Sequence, residues 1–216
     1  MCKNYCILFI YMYNILVVKQ KKDEGKIMHT NTEVEFKTLL TKEEYERLLE
    51  KFKGNRSDYQ TNHYFDTPRF SLKALDASLR VRERDELEMT LKRKKGYSIQ
   101  ETTIPIDQDA FSEIKATGIA PESEIRTELA ALIGNQKLVN FLSLSTLRMY
   151  MPFKTGVLFI DKSDYLGMTD YELEYEAKTY SGGKKEFIQI ISELEIQYKK
   201  SDKKIKRAYN AFKRLS

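Results

Sequence analysis

The strongest constraint on this chain is an alternation of period two that returns along its length, each time with charge on one parity and apolar residues on the other. It first appears in Asn31-Thr32-Glu33-Val34-Glu35-Phe36-Lys37-Thr38-Leu39. Glu33, Glu35 and Lys37 stand at i, i+2 and i+4, and Val34, Phe36 and Thr38 lie between them. An extended strand sends the three charged side chains to one face and the others to the opposite face. A helix would scatter the charges over about 200° of arc. Two neighbouring carboxylates are unfavourable unless a cation sits between them. Taken alone, this segment reads as the wet face of a sheet.

The pattern recurs. Leu79-Arg80-Val81-Arg82-Glu83-Arg84 places its arginines on one face, and Glu88 to Lys95 places Thr90, Lys92 and Lys94 opposite Met89 and Leu91. Gly96-Tyr97 supplies a turn, and Ser98 to Ile106 returns as a strand carrying Glu101, so an antiparallel hairpin is expected. Leu144 to Lys154 holds Thr146 and Arg148 in one parity, and Val157 to Lys162 alternates into Asp161. In Asp170 to Ala177, Glu172, Glu174 and Glu176 oppose Tyr171, Leu173 and Tyr175. Tyr59 to Phe65 adds a β-rich strand closed by the turn Asp66-Thr67-Pro68.

Helical signals fill the gaps. Thr41 is an N-cap with Glu44 three residues on, opening a helix to Lys53 whose apolar stripe is Tyr45, Leu48, Leu49 and Phe52. Asp107 to Leu142 reads as mainly helical, with Phe111, Ile114, Leu129, Leu132, Leu138 and Phe141 as contacts, broken at Pro121 and Gly134. Gly182-Gly183 precedes an amphipathic helix from Lys184 to Tyr198, and a basic end, Lys203 to Arg207, leads into a last helical turn with Tyr209 and Phe212.

Composition removes several classes of function. Charged residues are 32% of the chain, yet the net charge is only +5, which argues against a dedicated nucleic-acid binder. Both cysteines, Cys2 and Cys6, lie in the first residues, which excludes disulfides and cysteine-metal sites elsewhere and fits a cytoplasmic location. With only His29 and His63 present, a histidine-rich zinc site or a Ser-His-Asp triad is poorly supplied, and His63 reads as structural. Carboxylates and amines must carry the chemistry.

Those groups are sorted by sign. Glu33 with Glu35 and Glu172 with Glu174 form acidic faces, whereas Arg80 with Arg82 and Lys92 with Lys94 form basic ones. If the charged faces lined a closed antiparallel barrel, the acids could hold a cation and the bases a polyanion, and helices outside would cover the apolar faces. Oxygen ligands without histidine or cysteine suit Mg²⁺ or Mn²⁺. Converging Arg and Lys suit phosphate oxygens. Phosphoryl or nucleotidyl transfer is the chemistry implied.

The blocks Glu33-x-Glu35-x-Lys37, Leu79-Arg80-Val81-Arg82, Thr90-Leu91-Lys92, Arg148, Asp161 and Glu172-Leu173-Glu174, in that order, resemble the CYTH superfamily of triphosphate tunnel metalloenzymes. The stretch from Ile160-Asp161 through Tyr165 into Asp170 to Glu174 is similar to its small YjbK-like bacterial branch. The resemblance runs from Glu33 to the C-terminus and implies an α+β fold, a closed eight-stranded antiparallel β tunnel with helices packed outside. It implies Glu33, Glu35, Asp161, Glu172 and Glu174 as metal ligands for Mg²⁺ or Mn²⁺. Lys37, Arg80, Arg82, Lys92, Arg148 and Lys204 would bind triphosphate, with Glu35, Lys37 and Glu101 closest to the chemistry and Glu101 orienting a water. Lys204-x-x-Arg207 is similar to a family Ser-Lys-x-x-Arg signature, with Lys203 in the place of the serine.

The resulting expectation is metal-dependent hydrolysis of a triphosphate: inorganic triphosphate, thiamine triphosphate or a nucleoside triphosphate. Cyclisation of ATP to cyclic AMP and pyrophosphate is the alternative, since it needs the same residues. A non-catalytic polyphosphate- or nucleotide-binding module is a second. The expected partner is a small triphosphate rather than nucleic acid or membrane, and the reading leaves room for a homodimer.

Residues 28–216 are expected to form one domain. Cys6 to Val18 is an apolar run shorter than the roughly 20 residues of a membrane span, and no small-residue cleavage site follows it. Three readings stand for residues 1–27: a flexible apolar extension, a signal or anchor, or a segment that is not normally translated because the natural start is Met28. The third is favoured by Glu24-Gly25, whose codons are purine-rich and placed like a bacterial ribosome-binding site.

Overall fold

A computed structural model describes residues 34–95 and 98–215. Glu33, His29, Met28 and both cysteines lie outside these residues, as do the three readings of the N-terminal segment.

Eight strands form one antiparallel sheet: β1 (Val34–Leu40), β2 (Arg56–Asp66), β3 (Ala77–Glu83), β4 (Leu87–Lys95), β5 (Ser98–Ile106), β6 (Val139–Phe153), β7 (Gly156–Tyr165) and β8 (Met168–Ala177). Their hydrogen-bonded order is β1-β8-β7-β6-β2-β3-β4-β5. Among the described residues no ladder joins β1 to β5, so the sheet is a curled tunnel with two edges rather than a fully hydrogen-bonded ring. Register carries one parity through every strand. Lys37 faces Glu174, and Glu174 faces Phe159. Arg148 faces Asp161, which faces Glu172, while Asn62 faces Arg82 and Tyr64 faces Arg80. These residues make up the inner face.

The opposite parity is apolar and covered by helices. Helix α1 (Lys42–Lys51) starts with the expected capping box: Glu44 N donates to Thr41 Oγ1 at 3.1 Å and Thr41 N donates to Glu44 Oε2 at 2.6 Å. Its Tyr45 and Leu48 join Leu158, Ile160, Leu173 and Tyr175 of the sheet. Completing that cluster are Phe187 and Ile190 of the fifth helix, α5 (Tyr180–Glu193). The one-turn α2 (Ser71–Ala74), α3 (Gln108–Thr117) and α4 (Glu124–Ile133) cover the other half, where Phe111, Ile114, Ile125 and Leu129 meet Leu79, Val81, Met89 and Leu91. Burying each such large side chain contributes about 1.5–3 kcal/mol.

Helix α6 (Lys204–Leu215) behaves differently. Ala208 and Ala211 pack on Tyr64, Leu142, Leu144 and Tyr165, which share the inner parity. The last helix therefore closes one end of the tunnel rather than coating its outside. Alanines allow the close approach, and an aromatic group of Phe70, Phe141, Tyr209 and Phe212 fastens the helix at the rim.

Several helix boundaries differ from the sequence reading, and the expected last helical turn is the 12-residue α6. Leu138 and Phe141 have helical spacing but lie at and within the start of β6. Gly134 (φ 61°) ends α4, and Leu138 N bonds back to Gly118 O at 2.8 Å, steering the chain into register with β2. Helix α5 begins at Tyr180, before the glycine pair, and runs through it. A Cβ on Gly183 would lie 2.3 Å from the Ala177 Cβ and 2.7 Å from the Phe36 ring, so the glycine serves close packing of helix on sheet. The helix stops at Glu193 because Glu195 adopts φ 51°, leaving Tyr198 outside it and exposed.

Candidate metal and phosphate site

Three of the anticipated acids converge. Asp161 on β7 and Glu172 and Glu174 on β8 offer carboxylate oxygens that all lie within 4.8 Å of one another, and all three residues are buried. Strand alternation places Glu172 and Glu174 on one face, and the β7–β8 register sets Asp161 directly opposite Glu172. The donor set is all oxygen, anionic and shielded from water, which fits a hard divalent cation. Glu35 stands outside this trio, with its carboxylate ion-paired to Lys37. Lys37 also reaches Glu174 at 3.9 Å.

Charge balance is supplied by three cations. Arg148 forks onto Asp161, Nε to Oδ1 at 2.8 Å and Nη2 to Oδ2 at 2.6 Å, and Nη2 also donates to Glu174. Its guanidinium lies over Phe159, 4.4 Å from the ring centroid. Lys204 puts its ammonium 2.8 Å from Asp161 Oδ2 and 2.5 Å from Glu172 Oε2, and donates to Glu174 as well. Arg207 bonds Asp170 through Nε at 2.8 Å and Nη2 at 3.0 Å, and Glu172 through Nη1 at 3.0 Å. Burial alone would raise the Glu174 pKa, but Lys204 and Arg148 hold it well below the usual carboxylate range. The acids in turn raise Arg148, Lys204 and Arg207 against the opposing effect of burial.

The basic wall is built differently. Among the described residues, neither Arg80 nor Arg82 forms an ion pair, and Arg80 Nε is buried without a hydrogen-bond partner. Arg82 Nε donates to Asn62 Oδ1 at 3.2 Å. Burial, with Arg80 as the next cause, lowers the Arg82 pKa to about 10. Glu88 stands opposite Arg82 across β3–β4 and works against this lowering. Yet among the described residues neither arginine has a carboxylate within ion-pair reach, an arrangement suited to an anion.

The remaining anticipated residues are placed as follows. Lys92 and Glu101 face each other across β4–β5 and pair at 2.7 Å, so the expected water-orienting carboxylate meets a lysine. Lys204, expected on phosphate, sits on the acidic trio. The hydroxyl of the expected C-terminal signature comes from Ser201, not from the position of Lys203: Ser201 Oγ donates to Glu172 and accepts from Arg207 Nη1 at 2.6 Å. A loop before α6 returns the hydroxyl to the site, which linear spacing did not reveal. Tyr64 was also missed. It is buried on the inner face with Arg80, Arg82 and Lys204 around it, and burial raises its pKa. The shared parity of Gln60, Asn62 and Tyr64 was the available signal.

A family model for the CYTH domain matches residues 31–209. The Bacillus subtilis protein named "Putative triphosphatase YjbK" is 31% identical over 186 residues, covering 84% of this chain and 96% of its own. A Bacillus halodurans crystal structure described as a "putative adenylate cyclase" is 30% identical, with a TM-score of 0.70 over 81% of this chain and 96% of its own. A Hippeastrum protein described as a "putative adenylyl cyclase" with a dominant triphosphatase activity has a TM-score of 0.69 at 21% identity, over 86% and 97% of the two chains, and shows the shared fold. The curled tunnel, its acidic and basic walls and these matches agree, and the chain belongs to the CYTH domain family.

Proposed function

We propose that this chain hydrolyses a small triphosphate with the help of Mg²⁺ or Mn²⁺. The observation that carries the reading is the buried trio of Asp161, Glu172 and Glu174, on the same inner face as the unpaired arginines Arg80 and Arg82. Asp161, Glu172 and Glu174 would hold the ion, with Glu35 on β1 a further acid and Glu33, two positions earlier in the sequence, another. A bound divalent ion would neutralise developing charge on phosphate oxygens. Arg80 and Arg82 would take equatorial oxygens, Arg through its planar fork, and Lys37 and Lys92 would act as point charges. Arg148 orients the trio through its fork on Asp161. Pre-positioned cations on a low-dielectric wall stabilise transition-state charge without reorganising as it forms.

The test incubates tripolyphosphate, thiamine triphosphate and ATP with Mg²⁺ or Mn²⁺ and resolves phosphate, pyrophosphate and cyclic AMP. Metal-dependent phosphate release that Glu174→Gln abolishes supports the reading, as does its loss in Glu35→Gln. Cyclic AMP with pyrophosphate as the products of ATP would overturn it in favour of cyclisation. Binding of all three compounds without turnover would make the chain a binding module.

A further inference from the structure

The acidic trio already holds a cation, and that cation is part of the chain. Lys204 reaches in from the first turn of α6 and touches all three carboxylates, at 2.8 Å from Asp161 and 2.5 Å from Glu172, with Glu174 closer still. These are the carboxylates whose oxygens gather within 4.8 Å of one another. A dication bound by these oxygens and an ammonium in contact with the same oxygens would stand within a few ångströms in a poorly screened interior, where like charges repel strongly. The two cannot share the space.

We propose that Lys204 is a tethered counter-cation that compensates the acidic trio in the metal-free protein and leaves it when a divalent ion binds. This rests on the metal-dependent reading above and extends it to regulation of metal affinity. Among these three cations Lys204 alone touches every carboxylate of the trio. Arg148 holds Asp161 and Glu174 from β6, and Arg207 holds Glu172 together with Asp170 outside the trio, so Lys204 overlaps most with a bound ion. Lysine is suited to the exchange, because a compact charge on a flexible four-carbon stem can swing while its backbone remains fixed. The α6 anchor supports this. Ala208 and Ala211 are buried against the sheet, and Ser201 and Arg207 tie the helix start to Glu172. A displaced Lys204 has its charge free for the incoming anion, so metal and triphosphate should each raise the affinity for the other by the same factor.

The experiment uses the full chain and Mn²⁺ alone. In calorimetric titration, Lys204→Met should bind Mn²⁺ at least tenfold more tightly than the wild type. In EDTA it should melt at a lower temperature and gain more from Mn²⁺. Lys206→Met, which removes an exposed lysine of the same helix paired with Asp202, should change neither. Equal or weaker Mn²⁺ binding by Lys204→Met would overturn the proposal. A measurement on the unmodified protein stands beside it in case the variant does not fold. Reductive methylation read by mass spectrometry should find Lys204 protected in EDTA and modified in saturating Mn²⁺, and protection that persists in Mn²⁺ would overturn the proposal. A wild type that hydrolyses triphosphate with Mn²⁺ while Lys204 stays protected removes this inference and leaves the functional reading intact. A wild type that binds no Mn²⁺ removes both.

Discussion

Arg148 and Asp161 face each other on β6 and β7 and are joined by two parallel hydrogen bonds, 2.8 and 2.6 Å, around a carboxylate with no exposed surface. Removing Arg148 takes away the fork and leaves Asp161 with Lys204 as its remaining cation, so the loss should stay below about 3–5 kcal/mol, the cost of a wholly uncompensated buried charge. Arg148→Met should therefore lower the unfolding free energy measured by urea denaturation in EDTA at neutral pH, by about 1–3 kcal/mol. Arg148→Lys retains the charge but loses the fork, and it should recover only part of the stability. Equal stability of Met and wild type would contradict the buried geometry.

Ser201 bridges Glu172 and Arg207. Ser201→Ala should cost about 0.5–1.5 kcal/mol, the net worth of a hydrogen bond, because Glu172 keeps Arg207 and Lys204 and Arg207 keeps the Asp202 carbonyl. Lys203→Ala, at the position the linear motif suggests, should be neutral within about 0.5 kcal/mol because its side chain is exposed. Thermal melts of the two variants distinguish them directly.

Gly183 lies inside α5, where alanine would normally favour the helix by about 1 kcal/mol. The opposite outcome is expected here. A Cβ 2.3 Å from Ala177 and 2.7 Å from Phe36 forces helix and sheet apart, and overpacking of this kind costs about 1–3 kcal/mol. Gly183→Ala should unfold at lower denaturant. A gain in stability would show that the helix shifts at little cost.

His63 sits on the outer face, with Nδ1 2.9 Å from Ser143 Oγ, Nε2 3.4 Å from Glu83 and its ring 4.9 Å from that of Phe111. Burial lowers its pKa from 6.5, with Lys115 adding to the shift and Glu83 opposing it. The unfolded chain then binds the proton more readily than the folded one. Stability due to this group is complete above about pH 6.5 and is lost as pH falls through the unfolded and then the folded pKa. Urea midpoints between pH 7.5 and 5.5 should show a decline that is smaller in His63→Gln. Parallel declines in the two proteins would refute it.

The chain's own pattern determined the sheet. Period-two charge in β1, β3, β4, β7 and β8 named their inner residues, because strand parity is a local property that any extended segment obeys. Glu172 and Glu174 were legible as a pair for the same reason, and the Thr41 capping box was legible because its two hydrogen bonds span four residues. Asp161 joined the acids only through the family resemblance. Tertiary structure alone decided which charges meet. Lys204 and Ser201 reach the acids from a loop and helix about 30 residues downstream of Glu172, and only the docking of Ala208 and Ala211 on Tyr64, Leu142 and Leu144 brings them there. Glu35 and Glu101 were correctly placed on strands, yet Lys37 and Lys92 took them as partners. Parity states which way a side chain points. The partner at its tip depends on register, curl and the path of the last helix, and those follow from packing across the whole fold.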